Sequence, residues 1–338
     1  MTDTRMKYTS LLRTFALTIA LLTSLTFRPG DADANPGGLT MGFVAADSKE
    51  LTLERWQPIL DDLSKELGIP VRSVVLDDYA GIIWHLAMNK AQMAWVGNKA
   101  ALEAVDRADC EIMLQVVNAR TGNGYYSHLI TSKDSPLNSV QDVLDNAAHL
   151  TFGNGDPNST SGFVVPGYYI FARRGLDPKT LFKRVVNNNH EKNFHAVANG
   201  TVDVATNNSM ALVRYQIHYP DQRAGIKIIW TSPLIPSDPI VVRRDLDPAL
   251  RQRIETFLSN YGKKTTGKSD RQTTWEKQIL AGRDWAEFAP SDNSQLAPIR
   301  KLELFKMRMR IQKDDTIPSE TKEARLQEID TRLKELEQ

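Results

Sequence analysis

The sequence is poor in the residues that most often carry chemistry. It has one cysteine, Cys110, in 338 residues, so no disulfide can form within the chain. Its six histidines are scattered, and none stands in an H-x-x-x-H or Cys/His spacing, so no metal site is expected. Neither sign of charge is in excess: 42 Lys and Arg face 41 Asp and Glu. Without a basic block there is little to neutralise a phosphate backbone, which argues against a nucleic-acid partner. Long apolar runs are also missing. The run from Phe15 to Phe27 is too short for a membrane helix, which needs about 20 apolar residues.

That run does have a reading. Arg5, Lys7 and Arg13 precede it, and Ala32-Asp33-Ala34 follows it. A basic start, an apolar core and a small-residue site describe a secretory signal peptide over residues 1–34, with Asn35 as the first mature residue. No cysteine stands at the junction, so a lipid anchor is not expected. Removing the leader leaves acidic and basic side chains in balance, and about 300 residues can bury a large core.

The mature chain alternates strand and helix patterns. Leu39 to Ala45 reads as a strand. Leu51 to Leu67 reads as a helix, with Trp56, Ile59, Leu60, Leu63 and Leu67 on one face and Gly68 as its stop. Val71–Leu76 is a strand, Ala80–Lys90 a helix and Met93–Val96 a strand. A second β/α unit follows, with strands at Leu129–Ser132, Leu150–Phe152, Val185–Val186, Val202–Ala205 and Ile226–Trp230. From Pro248 the chain reads as mostly helical. This order implies an α/β fold of two lobes with parallel sheets, crossed twice, at Tyr126–Ile130 and Asp238–Val242. The lobes are expected at 35–127 plus 241–317 and at 128–240, with a C-terminal helix over 318–338.

The most distinctive stretch is "LTFGNGDPNSTSGFVVPGYYIFARRG", residues 150–175. A strand leads into ten residues, Gly153 to Gly162, with almost nothing to bury, and a helix follows to Arg173. The glycines suggest sharp turns and close approach of a ligand. Ser159, Thr160 and Ser161 stand where the helix begins, beside unpaired N–H groups and the positive end of the helix dipole. That arrangement fits a tetrahedral oxyanion. The same residues are equally ordinary caps and turn formers, and the residues alone leave both readings open. The loop has no lysine and does not match G-x-x-x-x-G-K-[ST], which argues against a nucleoside triphosphate.

This loop, together with "DDYAGIIWHLAMNKAQMAWVGN" (77–98), "EAVDRAD" (103–109), "NGTVDVATNN" (199–208) and "IIWTSPLIPSDPIV" (228–241), resembles the periplasmic phosphonate-binding proteins of ABC transporters. The resemblance runs over nearly the whole mature chain. It implies the two-lobed type II periplasmic-binding-protein fold, two β/α lobes joined by two crossing strands with a helical C-terminal extension. It also implies a periplasmic receptor that delivers phosphonates to an inner-membrane ABC permease, without catalysis, cofactor or metal. The site residues carried over are Ser159, Thr160 and Ser161 on the phosphonate oxygens, with Tyr79, Tyr125 and His190. In family members that bind 2-aminoethylphosphonate, two acids hold the ligand ammonium. One is kept as Asp238; at the other, Met210 stands instead. A receptor for phosphate, phosphite or a phosphate ester is the alternative, and an enzyme on a phosphorylated small molecule, using Asp156 or His190, is a more distant one.

At the C-terminus, "PSETKEARLQEIDTRLKELEQ" reads as a helix capped by Ser319. Leu326, Ile329, Leu333 and Leu336 repeat at three and four residues. The stripe suits either a helix lying on its own lobe or a short paired coil, and the resemblance favours the second, a homodimer.

Overall fold

The computed structural model describes residues 37–46 and 48–336; the expected signal peptide lies outside them. Thirteen strands appear in chain order: β1 (Leu39–Val44), β2 (Val71–Leu76), β3 (Met93–Trp95), β4 (Cys110–Asn118), β5 (Gly124–Tyr125), β6 (Ser127–Ser132), β7 (Thr151–Gly155), β8 (Arg184–Asn188), β9 (Val204–Asn208), β10 (Ile226–Thr231), β11 (Ile235–Pro236), β12 (Pro239–Arg243) and β13 (Trp285–Pro290). They form a six-stranded sheet of order β13-β4-β12-β3-β1-β2, a five-stranded sheet of order β10-β6-β9-β7-β8, and a two-stranded ribbon of β5 and β11.

The expected βαβ core is present in each sheet. β2, β1 and β3 are parallel in the first, and β8, β7 and β9 in the second. The remaining pairings within the two sheets are antiparallel, so both sheets are mixed rather than wholly parallel. Helix Lys49–Leu67 joins β1 to β2. Ser48 caps it by accepting from the Leu51 N–H, and Gly68 ends it at φ 69°, the left-handed conformation that glycine adopts at least cost. Its predicted stripe is buried, and Trp56 is packed among Phe43, Trp95, Trp285 and Phe288 with ring centroids 5.0–5.9 Å apart. In the second sheet Phe152 stacks on Phe182 at 4.7 Å. Each sheet therefore has its own aromatic core.

The crossing differs from expectation. β6 lies wholly in the second sheet and β12 wholly in the first. The chain passes between them just before each, at β5 and β11, which pair with one another (Ile235 with Tyr125, Pro236 with Gly124). A strand between two sheets has no ladder of its own, and pairing the two passes satisfies their backbone groups.

β4 is absent from the sequence reading, and β13 falls in the tail read as helical. β4 is buried over most of its length, so it lacks the alternation that marks a half-buried strand. β13 is held by β4, a partner far away in sequence. β7 continues to Gly155, through residues read as loop. The helical segment 160–174 is not a plain α-helix: Thr160–Val164 and Gly167–Phe171 are wide π turns. Finally, helix Ser319–Glu335 begins at Ser319 and has no side-chain cap. Ile329 and Leu333 pack on Leu304 of helix Ala297–Lys313, with Ile311 and Leu336 beside them, and Arg308 pairs with Asp330 at 2.7 Å. The apolar stripe is thus used within the chain.

Candidate functional site

Strand ends on both sheets converge on one cavity of about 40 Å³. Tyr79, Tyr125, Ser159, Thr160, Ser161, His190, Met210 and Asp238 all line it. From the first sheet, Tyr79 opens the helix after β2, whose cap is Asp78 (Gly81 N–H to Oδ1, 2.7 Å), and Gly97 follows β3. From the second, Ser159 to Ser161 follow β7, His190 follows β8, and Met210 follows β9. The ribbon contributes Tyr125 directly, and Asp238 stands between β11 and β12.

The three-residue Ser-Thr-Ser turn is nearly sealed, with Thr160 only 2% exposed. Ser159 Oγ accepts from the Gly162 N–H at 3.0 Å and so starts the wide turn. Ser127 Oγ donates to the Ser161 carbonyl (2.6 Å) and Thr206 Oγ1 to the Gly162 carbonyl (2.7 Å), pinning the turn's backbone to the second sheet. Gly155 and Gly162 are needed for packing rather than for turning. A Cβ on Gly155 would lie 2.5 Å from the Gly162 backbone, so β7 touches the helical turn directly. Across the cavity, the Lys99 N–H donates to Thr160 Oγ1 at 2.8 Å, and the Asn189 amide donates to the Ala45 carbonyl at 3.0 Å. These bonds tie the two sheets' loops together over the cavity.

His190, which alone reads as a surface loop residue, is instead the first residue of helix His190–Ala198 and is 6% exposed. Its Nε2 lies 3.4 Å from Ser161 Oγ, and Asn207 donates to its carbonyl. Burial, and after it the neighbouring Asp238 carboxylate, push the Tyr125 hydroxyl well above its ordinary pKa, so it stays a donor. Burial also raises the Asp238 carboxyl from 3.8 to about 7, against the bond from Tyr125 and the charges of Arg214 and Arg55. Asp238 Oδ1 is buried with no hydrogen-bond partner among the described residues. Asp156 stands apart from the cavity lining. It caps its own turn, accepting from the Asn158 N–H at 2.7 Å.

Sequence reasoning missed Arg55, Trp95 and Arg214, which also line the cavity. Arg214 is four residues past Met210 on helix Ser209–His218, a spacing that puts both on one face and could have signalled it. Arg55 stands beside the buried Trp56, off the apolar stripe, and nothing local marks it. Its guanidinium lies over Trp95 and Trp285, 5.3 and 4.9 Å from the ring centroids.

Residues 41–296 match the family described as ABC transporter, phosphonate, periplasmic substrate-binding protein. The chain is 41% identical to the phosphonates-binding periplasmic protein of Escherichia coli K12, over 97% of this chain and 94% of that one. It belongs to the phosphonate-binding periplasmic proteins. A binding protein of an ABC phosphonate transporter from Pseudomonas aeruginosa has the same fold, with TM-score 0.82 at 44% identity over 89% of this chain and 97% of that one. A Prochlorococcus marinus protein solved with methylphosphonate is similar in fold (TM-score 0.69, 19% identity, 79% and 97% coverage). The architecture of this phosphonate-binding family member is the type II periplasmic-binding fold, which unites the two sheets, the ribbon and the cavity between them. No helix among the described residues is long and apolar enough to cross a membrane.

Proposed function

We propose that this protein captures organophosphonates in the periplasm and delivers them to an inner-membrane ABC permease. The observation that carries the reading is the cavity itself, where the Ser159-Thr160-Ser161 turn meets Tyr79, Tyr125 and His190. Hydroxyl donors around a buried void suit an anion whose oxygens each need a partner, and their bonds strengthen as water leaves. The two lobes, 35–127 with 241–317 and 128–240, close about the β5–β11 ribbon, and a bound anion favours closure by its differential affinity for that state.

The site works as a receptor rather than an enzyme. Asp156 is turned to its own backbone, and burial pushes the Cys110 thiol up to about 12, far from a ready nucleophile. A homodimer would use a face other than the Ile329–Leu333 stripe. The volume of about 40 Å³ keeps inorganic phosphate or phosphite as a second reading, because those anions need no space for a carbon substituent.

The test is titration calorimetry on protein recovered from the periplasm, whose first residue should be Asn35 if the leader is cleaved as expected. Methylphosphonate, phosphate and phosphite are compared, and bound methylphosphonate is recovered and weighed by mass spectrometry. Tightest binding to an unaltered phosphonate is expected. Tighter binding of phosphate would replace this reading with the second, and turnover would overturn the receptor.

A further inference from the structure

Trp95 and Asp238 both line the cavity. Each has a buried polar atom without a hydrogen-bond partner among the described residues, Nε1 and Oδ1 respectively. The indole Nε1 is a donor, and any anionic oxygen can satisfy it. The carboxylate Oδ1 is an acceptor, and a bare anion brings it only repulsion. A buried acceptor left unmatched is costly, so Asp238 calls for a proton on whatever enters.

That oxygen stands close to the hydroxyl turn. A Cβ on Gly97 would lie 3.1 Å from Thr160 Oγ1 and 3.8 Å from Asp238 Oδ1, so the two oxygens are neighbours across one glycine. Thr160 Oγ1 accepts from the Lys99 N–H at 2.8 Å, which leaves its own proton to donate. Tyr125 bonds with Asp238, and since Oδ1 has no partner, that bond falls on the other carboxyl oxygen and holds the group in place. A hydroxyl poised to donate thus stands next to a carboxylate oxygen poised to accept. A cavity of about 40 Å³ holds little more than an anion head, since one water needs roughly 10–15 Å³, so the head itself meets both.

We propose that Asp238 accepts a hydrogen bond from a P–OH group, so that the receptor holds its phosphonate with one proton between that group and Oδ1. The inference rests on the phosphonate reading above and deepens it: the species held is the singly protonated anion. Burial raises the Asp238 carboxyl to about 7, against the bond from Tyr125 and the charges of Arg214 and Arg55. That is close to the range in which a phosphoryl group gives up its second proton, about 6 for a phosphate ester. Whichever partner brings the proton, the complex has the same count, one proton between two oxygens. Tyr79, Tyr125, His190, Arg55 and Arg214 are the other titratable or charged groups lining the cavity, and of these His190 is the rival for a proton near neutral pH. An ammonium tail could also satisfy Oδ1; methylphosphonate has none and isolates the P–OH bond.

The test is methylphosphonate binding at about pH 9, where the free ligand and the free carboxyl have each lost the proton. Calorimetry in buffers of different ionisation enthalpy should count about one proton taken up per ligand bound, and affinity should fall about tenfold for each further pH unit. Asp238→Asn keeps the shape and offers an amide donor to the dianion. It should bind with no proton taken up, with an affinity nearly independent of pH in this range, and at least about tenfold more tightly than wild type at about pH 9. His190→Asn removes the rival group, and proton uptake should persist in it; this second variant decides the matter even if Asp238→Asn fails to fold. Uptake that survives in Asp238→Asn, or that disappears in His190→Asn, would assign the proton elsewhere and overturn the proposal. If methylphosphonate binds wild type with no proton taken up, this inference falls and the phosphonate reading stands. If no phosphonate binds, both fall.

Discussion

Two kinds of chemistry line the cavity. One set is neutral hydroxyls, Ser159, Thr160, Ser161, Tyr79 and Tyr125, with His190 beside them. The other is charged or apolar, with Arg55, Arg214, Asp238, Trp95 and Met210, and the two sets meet where Tyr125 bonds to Asp238. The backbone of the Ser-Thr-Ser turn is fastened by short bonds from Ser127 and Thr206. The second set is drawn from a helix of the first sheet, a helix of the second and the link between β11 and β12. On the receptor reading proposed above, the difference predicts that anion capture and choice of substituent are separable, with the hydroxyls serving any tetrahedral oxyanion and the second set sorting substituents.

The largest effect expected from breaking this comparison is at Thr160. Thr160→Ala removes a donor to a charged oxygen, worth about 1.5–3 kcal/mol. It also leaves the Lys99 N–H without its 2.8 Å acceptor, a further cost of about 1–3 kcal/mol in the closed state. Calorimetry should show every phosphonate weakened by more than about tenfold, whatever its tail, with an intact fold by circular dichroism. An unchanged dissociation constant would remove the Ser-Thr-Ser turn from the site.

A smaller and selective effect is expected at Met210. Its side chain lines the cavity and is half-buried against the apolar cluster that includes Tyr125 and Val164. Met210→Glu supplies the second acid of an amine clamp. Affinity for 2-aminoethylphosphonate should rise by about tenfold, or roughly 1.4 kcal/mol, and affinity for an alkylphosphonate should not rise. An unchanged ratio between the two ligands would show that residue 210 does not reach the substituent.

The smallest effect concerns pH. The Asp238 carboxyl is raised from 3.8 to about 7, so the folded chain keeps this proton where the unfolded chain has lost it. Stability from this group is therefore fully present below pH 3.8 and drains away as pH rises through about 7. Tyr125, Arg55 and Arg214 are the groups that act on it. In ligand-free protein, Asp238→Asn should gain thermal stability relative to wild type across that interval. A constant difference between the two proteins from pH 4 to 8 would mean that Asp238 is ionised throughout.

Much of the molecule was legible before its structure was seen, for local reasons. Helix Lys49–Leu67 announces itself by an apolar stripe and a terminal glycine, and β2 by a run of β-formers, because 3.6- and 2-residue periods are written in the chain. The eight candidate site residues were carried over from a family resemblance written in dense motifs, and the structure brings all eight to one cavity. What could not be read was non-local. β4 is hidden by burial on both faces, and β13 takes its conformation from its partner. The wide π turn after Ser159 packs directly on β7 where Gly155 meets Gly162, a contact that only folding brings about. The C-terminal stripe was legible as a stripe, but its partner, Leu304, was not.

The sequence by itself determined the alternation of strands and helices, the neutral charge balance and the run of hydroxyls at the start of a helical segment, since each depends on neighbours within a few residues. Only the tertiary structure decided where the chain crosses between its sheets, that Arg55 and Arg214 share the cavity with Asp238, and that the carboxyl-terminal stripe is already covered. Those outcomes depend on burial and on charges from residues distant in the chain, and neither has a period that a sequence can display.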